Sequence, residues 1–83
     1  EEPLVISVDA QNNYYINVGD NDKAIKPLST ITDQVTKVLR VKPQTPVLVW
    51  GDTNVPYGTV VELMSRLQNA GAESVGLVTE PPR

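Results

Sequence analysis

Leu4-Val5-Ile6-Ser7-Val8 is a β-rich run bounded by Pro3 and by the polar stretch Asp9-Ala10-Gln11-Asn12-Asn13, after which Tyr14-Tyr15-Ile16-Asn17-Val18 resumes in the same style. Two such runs around a five-residue polar loop predict a β-hairpin, although the Asn-Gly pair of the tightest turns is missing. Gly19-Asp20-Asn21-Asp22 is a second turn, and Lys23-Ala24-Ile25 leaves room for a short third strand before Pro27.

The period then changes. Leu28, Ile31, Val35, Val38 and Leu39 fall on one helical face, with Ser29 placed as an N-cap, so a helix is expected over about residues 30–41. Asp33 toward its start and Lys37 and Arg40 toward its end complement the helix dipole. Lys42-Pro43 stops the helix, and the unbroken apolar run Val47-Leu48-Val49-Trp50 after Pro46 reads as a strand paired or covered on both sides.

Gly51-Asp52-Thr53-Asn54 turns the chain, and Pro56 stands at or near the first position of a second helix with the stripe Tyr57, Val60, Val61, Met64 and Leu67. Glu62 and Arg66 lie one turn apart on its wet side. Gly71 suits the left-handed residue that ends a helix, and Ser74 to Thr79 is the last strand. The order is therefore ββ(β)αβαβ. It predicts an α+β two-layer sandwich: a mixed sheet of four to five strands, with an antiparallel hairpin, a parallel β–α–β unit from Val47 to Thr79, and both helices on one face.

Eighty-three residues, 40% hydrophobic and 20% charged, describe one small domain spanning residues 1–83. A core this thin leaves little margin over the entropy of ordering the chain, so such a domain gains from self-association. The absence of cysteine excludes disulfides and thiolate metal sites. The absence of histidine removes the side chain most used for acid–base work near neutral pH. A net charge of −3, with the seven Lys and Arg scattered, argues against nucleic acid as a partner. No apolar run is long enough to span a bilayer, and a chain that opens on Glu1 reads as a piece excised from something longer.

Candidate chemistry is sparse. Asp52 follows a buried strand, where open α/β sheets keep functional carboxylates, but it has no catalytic companion, and capping of its own turn and of the second helix accounts for it. Asp9, Asp20 and Asp22 with Asn12, Asn13 and Asn21 supply oxygens for calcium in principle, yet their spacing fits no EF-hand loop and turn chemistry explains them. Gly51 and Gly58 do not make a phosphate loop. Neighbouring Tyr14 and Tyr15 point to opposite faces of their strand, one toward the core and one exposed; the exposed one marks an interface or, more simply, a half-buried strand position. No enzyme activity, cofactor or metal is expected.

The final strand carries the most information. Gly76 either weakens it or admits a close neighbour, and Pro81-Pro82 have no N–H to donate, so pairing ends near Thr79-Glu80. A last strand is often an edge, and the prolines either blunt that edge against aggregation or delimit a docking site for another chain.

The run "TPVLVWGDTNVPYGTVVELMSRLQNAGAESVGLVTEPP" resembles the C-terminal periplasmic domain of the ExbD/TolR family. The matching positions are Val47 to Trp50, Asp52, Val55, Tyr57, Met64, Leu67, Ala70-Gly71, Gly76-Leu77 and Thr79, and "VPY" with "GLVTEPP" leans to the TolR side. The front half fits more loosely. The resemblance implies a single-span inner-membrane protein of a Gram-negative bacterium. Its membrane helix and proton-path aspartate lie outside this chain, and Asp52 inherits no proton role.

It further implies a non-catalytic periplasmic module that dimerises and works with a TolQ-like channel subunit and a TolA-like transducer in the proton-motive-force-driven Tol-Pal system. In that setting Ser74, Val75, Gly76, Leu77, Val78 and Thr79 become the expected dimer or partner-strand interface, with Tyr14 and Tyr15 as further contacts, and the edge is read as recruiting. An ExbD-type domain capturing a TonB peptide and a peptidoglycan-binding module, with Tyr14, Tyr15 or Trp50 as platform, are the alternatives.

Overall fold

A computed structural model describes residues 2–19 and 23–79. The chain runs β1 (Leu4–Val8), β2 (Tyr14–Ile16), α1 (Leu28–Val41), β3 (Val47–Gly51), α2 (Tyr57–Asn69) and β4 (Val75–Thr79). The four strands form one mixed sheet in the order β2-β1-β3-β4. β1 pairs antiparallel with β2 and parallel with β3, and β3 pairs parallel with β4. The α+β sandwich of the sequence pattern is thus realised with four strands. The optional strand at Lys23-Ala24-Ile25 does not form; the backbone touches the sheet at one bridge, where the Lys26 amide donates to the Tyr14 carbonyl at 3.0 Å.

Strand alternation sorts the side chains. Leu4, Ile6 and Val8 of β1 and Val47 and Val49 of β3 are buried in one cluster with Ile31, Val35 and Leu39 of α1 and Val60, Leu63 and Leu67 of α2. Both helices therefore cover the same face of the sheet. The opposite face carries Val5 and Ser7 of β1, Leu48 and Trp50 of β3 and Gly76 and Val78 of β4, with no described layer over it.

Three local expectations change. Helix α1 starts at Leu28, so Pro27 and not Ser29 is its cap, with no side-chain cap bond. Pro27 is extended (ψ 148°) and hands its carbonyl to the Ile31 amide, which lets Leu28 join the helix and pack on the core. Asp33 consequently lies beyond the first turn, while Arg40 does occupy the last.

Helix α2 is rotated from the predicted stripe: Val60, Leu63 and Leu67 are buried, whereas Val61 is exposed and Tyr57 is 79% exposed. Apolar residues surround so much of this helix that two overlapping faces fit the 3.6-residue period, and the sheet selects the one centred on Leu63.

β2 ends at Ile16 and not at Val18, because the Asn17 side chain takes over the pairing. Its Oδ1 accepts from the Val5 amide at 2.9 Å and its Nδ2 donates to the Pro3 carbonyl at 3.0 Å. Gly71 ends α2 with φ +121°, as its position predicts. Among the described residues no helix is long and apolar enough to cross a membrane.

Candidate interaction site

The two edges of the sheet differ. β2 is three residues long and its outer side is partly occupied by Lys26. β4 is five residues long and its one strand neighbour among the described residues is β3. Its other side presents backbone N–H and C=O groups along a strand of ordinary length, which is the geometry that accepts an added strand. Ser74 precedes the strand, so the strand begins one residue later than expected.

Side chains beside this edge are apolar and open. Leu77, on the helix face, is 45% exposed, and Val78, on the other face, is 40% exposed. Leu77 also borders a cavity of about 220 Å³ with Val55, Tyr57 and Val60, floored by Gly51 and rimmed by Asp52 and Thr53. Among the described residues, four of the six large exposed hydrophobic residues (Tyr57, Val61, Leu77 and Val78) belong to α2 or β4.

Gly76 has a definite role. A Cβ there would stand 2.8 Å from Leu48 Cδ2, so the missing side chain lets Leu48 lie against the β4 backbone. The pattern had allowed either weakness or close approach, and the structure selects close approach. Glu80, Pro81 and Pro82, on which the proline argument turned, lie outside the described residues.

The two tyrosines point to opposite faces, as the strand period predicts. Tyr14 pairs with Val8 and packs against the core, while Tyr15 pairs with Ser7 on the uncovered face. Ser7 in turn pairs with Trp50, and Trp50 with Val78, so Tyr15, Ser7, Trp50 and Val78 form one row across the sheet.

Tyr15 is fixed by Asp9: its hydroxyl donates to Asp9 Oδ2 at 2.8 Å. Asp9 Oδ2 also accepts from Asn13 Nδ2, and Oδ1 accepts from the amides of Gln11 and Asn13 at 3.0 and 2.9 Å. Asp9 is thus the organiser of the hairpin loop, in which Asn12 takes the left-handed conformation (φ 64°) that Asn tolerates. The Asn13 amide foremost, with the other donors, holds the Asp9 carboxyl below its ordinary pKa against desolvation, which opposes them. The bond to Asp9, followed by desolvation, raises that of Tyr15.

Asp52 behaves as a turn residue. Its Oδ1 accepts from the Asn54 amide at 3.0 Å and its own amide donates to the Val8 carbonyl at 3.1 Å, but it does not cap α2, whose cap is Pro56. Among the described residues no three acidic side chains converge to hold a metal ion; Asp20, Asn21 and Asp22 lie outside them. The buried Thr45, unremarked in the pattern, closes the turn into β3 by donating its hydroxyl to the Lys42 carbonyl at 2.8 Å.

The sequence matches the family described as "Biopolymer transport protein ExbD/TolR" over residues 1–82. It is 43% identical to the Tol-Pal system protein TolR of Pseudomonas aeruginosa over 99% of this chain and 60% of that protein. It is 28% identical to the Tol-Pal system protein TolR of Escherichia coli K12 over 95% of this chain and 56% of that protein. The chain thus spans well under two thirds of the relatives it matches. It belongs to the ExbD/TolR family of biopolymer transport proteins.

Proposed function

We propose that this chain is the periplasmic, non-catalytic interaction domain of a TolR-like subunit of the Tol-Pal system, anchored in the inner membrane by a helix outside residues 1–83. It dimerises through β4 and works beside a TolQ-like channel subunit and a TolA-like transducer. The observation that carries the reading is the free edge of β4, flanked by exposed Leu77 and Val78, in a chain whose relatives bear the TolR name. Peptidoglycan is included as a ligand of the uncovered face, where Tyr15 and Trp50 supply the aromatic platforms.

Sedimentation velocity on the intact chain, on Val78→Lys and on a chain truncated after Gly71 tests the dimer. Val78 is exposed, so the lysine blunts the edge without emptying the core. The wild type should sediment as a dimer and Val78→Lys as a folded monomer by circular dichroism. A monomeric wild type, or a dimer that survives both changes, overturns the proposal. Pelleting of the wild-type chain with purified peptidoglycan tests the ligand in the same preparation.

A further inference from the structure

The basic side chains are concentrated in one segment of the chain. Five of the seven lie between Lys23 and Lys42, with Asp33 the one acid among them. Lys37, Arg40 and Lys42 come together at the C-terminal end of α1, all exposed and none paired with a described carboxylate. Arg40 complements the helix dipole there.

Dipole compensation does not account for Val41. It is the last residue of α1 and 78% exposed, and with Lys37, Val38 and Lys42 it lines an open, largely apolar hollow of about 360 Å³. An apolar side chain held outward between cations, with aliphatic lysine stems beside it, is the arrangement of a surface that meets anionic lipid: the valine enters the headgroup boundary and the ammonium groups stay at the phosphates.

The position of this corner supports that partner. Val38 and Lys42 also line the adjoining cavity of about 330 Å³ with Glu2, Pro3, Leu4 and Val18, so the hollow lies next to the point where the chain enters β1. If an anchor precedes Glu1, it emerges at this corner. Two carboxylates stand near: Glu2 on the rim of the adjoining cavity, and Glu73, which lies across the Pro43–Pro46 loop on the β4 side. The positive surface is therefore confined to the α1 corner and does not extend over the whole end of the molecule.

We propose that Lys37, Arg40, Val41 and Lys42 form a docking patch for the anionic phospholipid surface of the bilayer that holds the anchor, setting the domain down on the membrane beside its own tether. This rests on the anchored reading given above. The partner is phospholipid and not an acidic protein segment because the hollow is shallow and open and lies at the chain entry, where, on the anchored reading, the bilayer is the nearest surface.

The chain has no cysteine, so Val41→Cys and, as control, Val61→Cys on the exposed flank of α2 can each carry a single environment-sensitive fluorophore. Each is attached through an N-terminal histidine tag to vesicles containing a nickel-chelating lipid, made either of phosphatidylcholine or of phosphatidylcholine and phosphatidylglycerol in equal amounts. The probe at residue 41 should be quenched by nitroxide lipid on the anionic vesicles and not on the neutral ones, and the probe at residue 61 on neither.

Adding Lys37→Ala or Lys42→Ala should weaken the bound state about fivefold each, the equivalent of about 1 kcal/mol per basic residue at an anionic surface, and raising salt should do the same. Arg66→Ala should leave it unchanged. Equal quenching on neutral vesicles, no quenching on anionic ones, or lysine variants that lower binding only to a purified TolQ-like subunit would each overturn the lipid assignment. The sedimentation result does not depend on lipid, so loss of the dimer and loss of the membrane contact are read separately.

Discussion

Leu48 lies over Gly76 so closely that a Cβ on Gly76 would stand 2.8 Å from Leu48 Cδ2. Two opposing effects therefore meet at one position. Glycine in a strand costs about 0.5–1 kcal/mol relative to alanine through lost chain entropy, while an added methyl must push the Leu48 terminus aside, a repacking of about 1–3 kcal/mol when the neighbours cannot yield. Leu48 is half-buried on the uncovered face and yields in part. Gly76→Ala should consequently be neutral to destabilising by about 1 kcal/mol in the wild type, and stabilising by about 0.5–1 kcal/mol in a Leu48→Ala background. Urea unfolding of the four chains of this cycle checks the reversal of sign, and the same sign in both backgrounds would remove the steric account of Gly76.

The rotation of α2 gives a second prediction. Leu63 is fully buried and Val61 exposed, although both fit an apolar stripe in the sequence. Leu63→Ala should lower stability by about 2–5 kcal/mol, enough to threaten the fold of a domain this small. Val61→Ala should change it by no more than about 0.5 kcal/mol. Thermal unfolding of the pair separates the two faces, and comparable losses would place α2 in the wrong rotation.

Asp9 and Tyr15 set a pH dependence at both extremes. The folded-state pKa of Asp9 is depressed, so its contribution is present above the ordinary carboxylate value of about 3.9 and is lost as pH falls through the lower folded value. That of Tyr15 is raised, so its contribution is present below about 10 and is lost as pH rises through the higher folded value. Denaturant unfolding across a pH series should show both losses. Asp9→Asn should flatten the acid limb, and Tyr15→Phe should flatten the alkaline one. An acid limb unchanged in Asp9→Asn would assign it to other carboxylates.

Much of this molecule is written locally. The runs at residues 4–8 and 47–51, the stripe of α1, and the stop at Gly71 follow from side-chain period and from the φ that each terminus requires, properties of a few consecutive residues. Asp9 and Asp52 were legible as turn residues for the same reason: the amides they accept from lie within four positions in the chain.

What tertiary structure alone decided depends on groups far apart in sequence. Sheet order put β1 between β2 and β3 and, among the described residues, left β4 as the long open edge, a choice made by pairing β1 with a strand some forty residues away. The sheet selected Leu63 over Val61, and Leu48, opposite Gly76 on the neighbouring strand, gave that glycine its purpose. Asn17 ended β2 through bonds to Pro3 and Val5, and the Lys37, Arg40, Val41 and Lys42 cluster, itself local to the end of α1, was set beside the start of the chain. Period and propensity act over one or two turns, so they give the elements. Which face is buried, which edge stays open and which elements meet at a corner are settled by long-range packing, on which local sequence is silent.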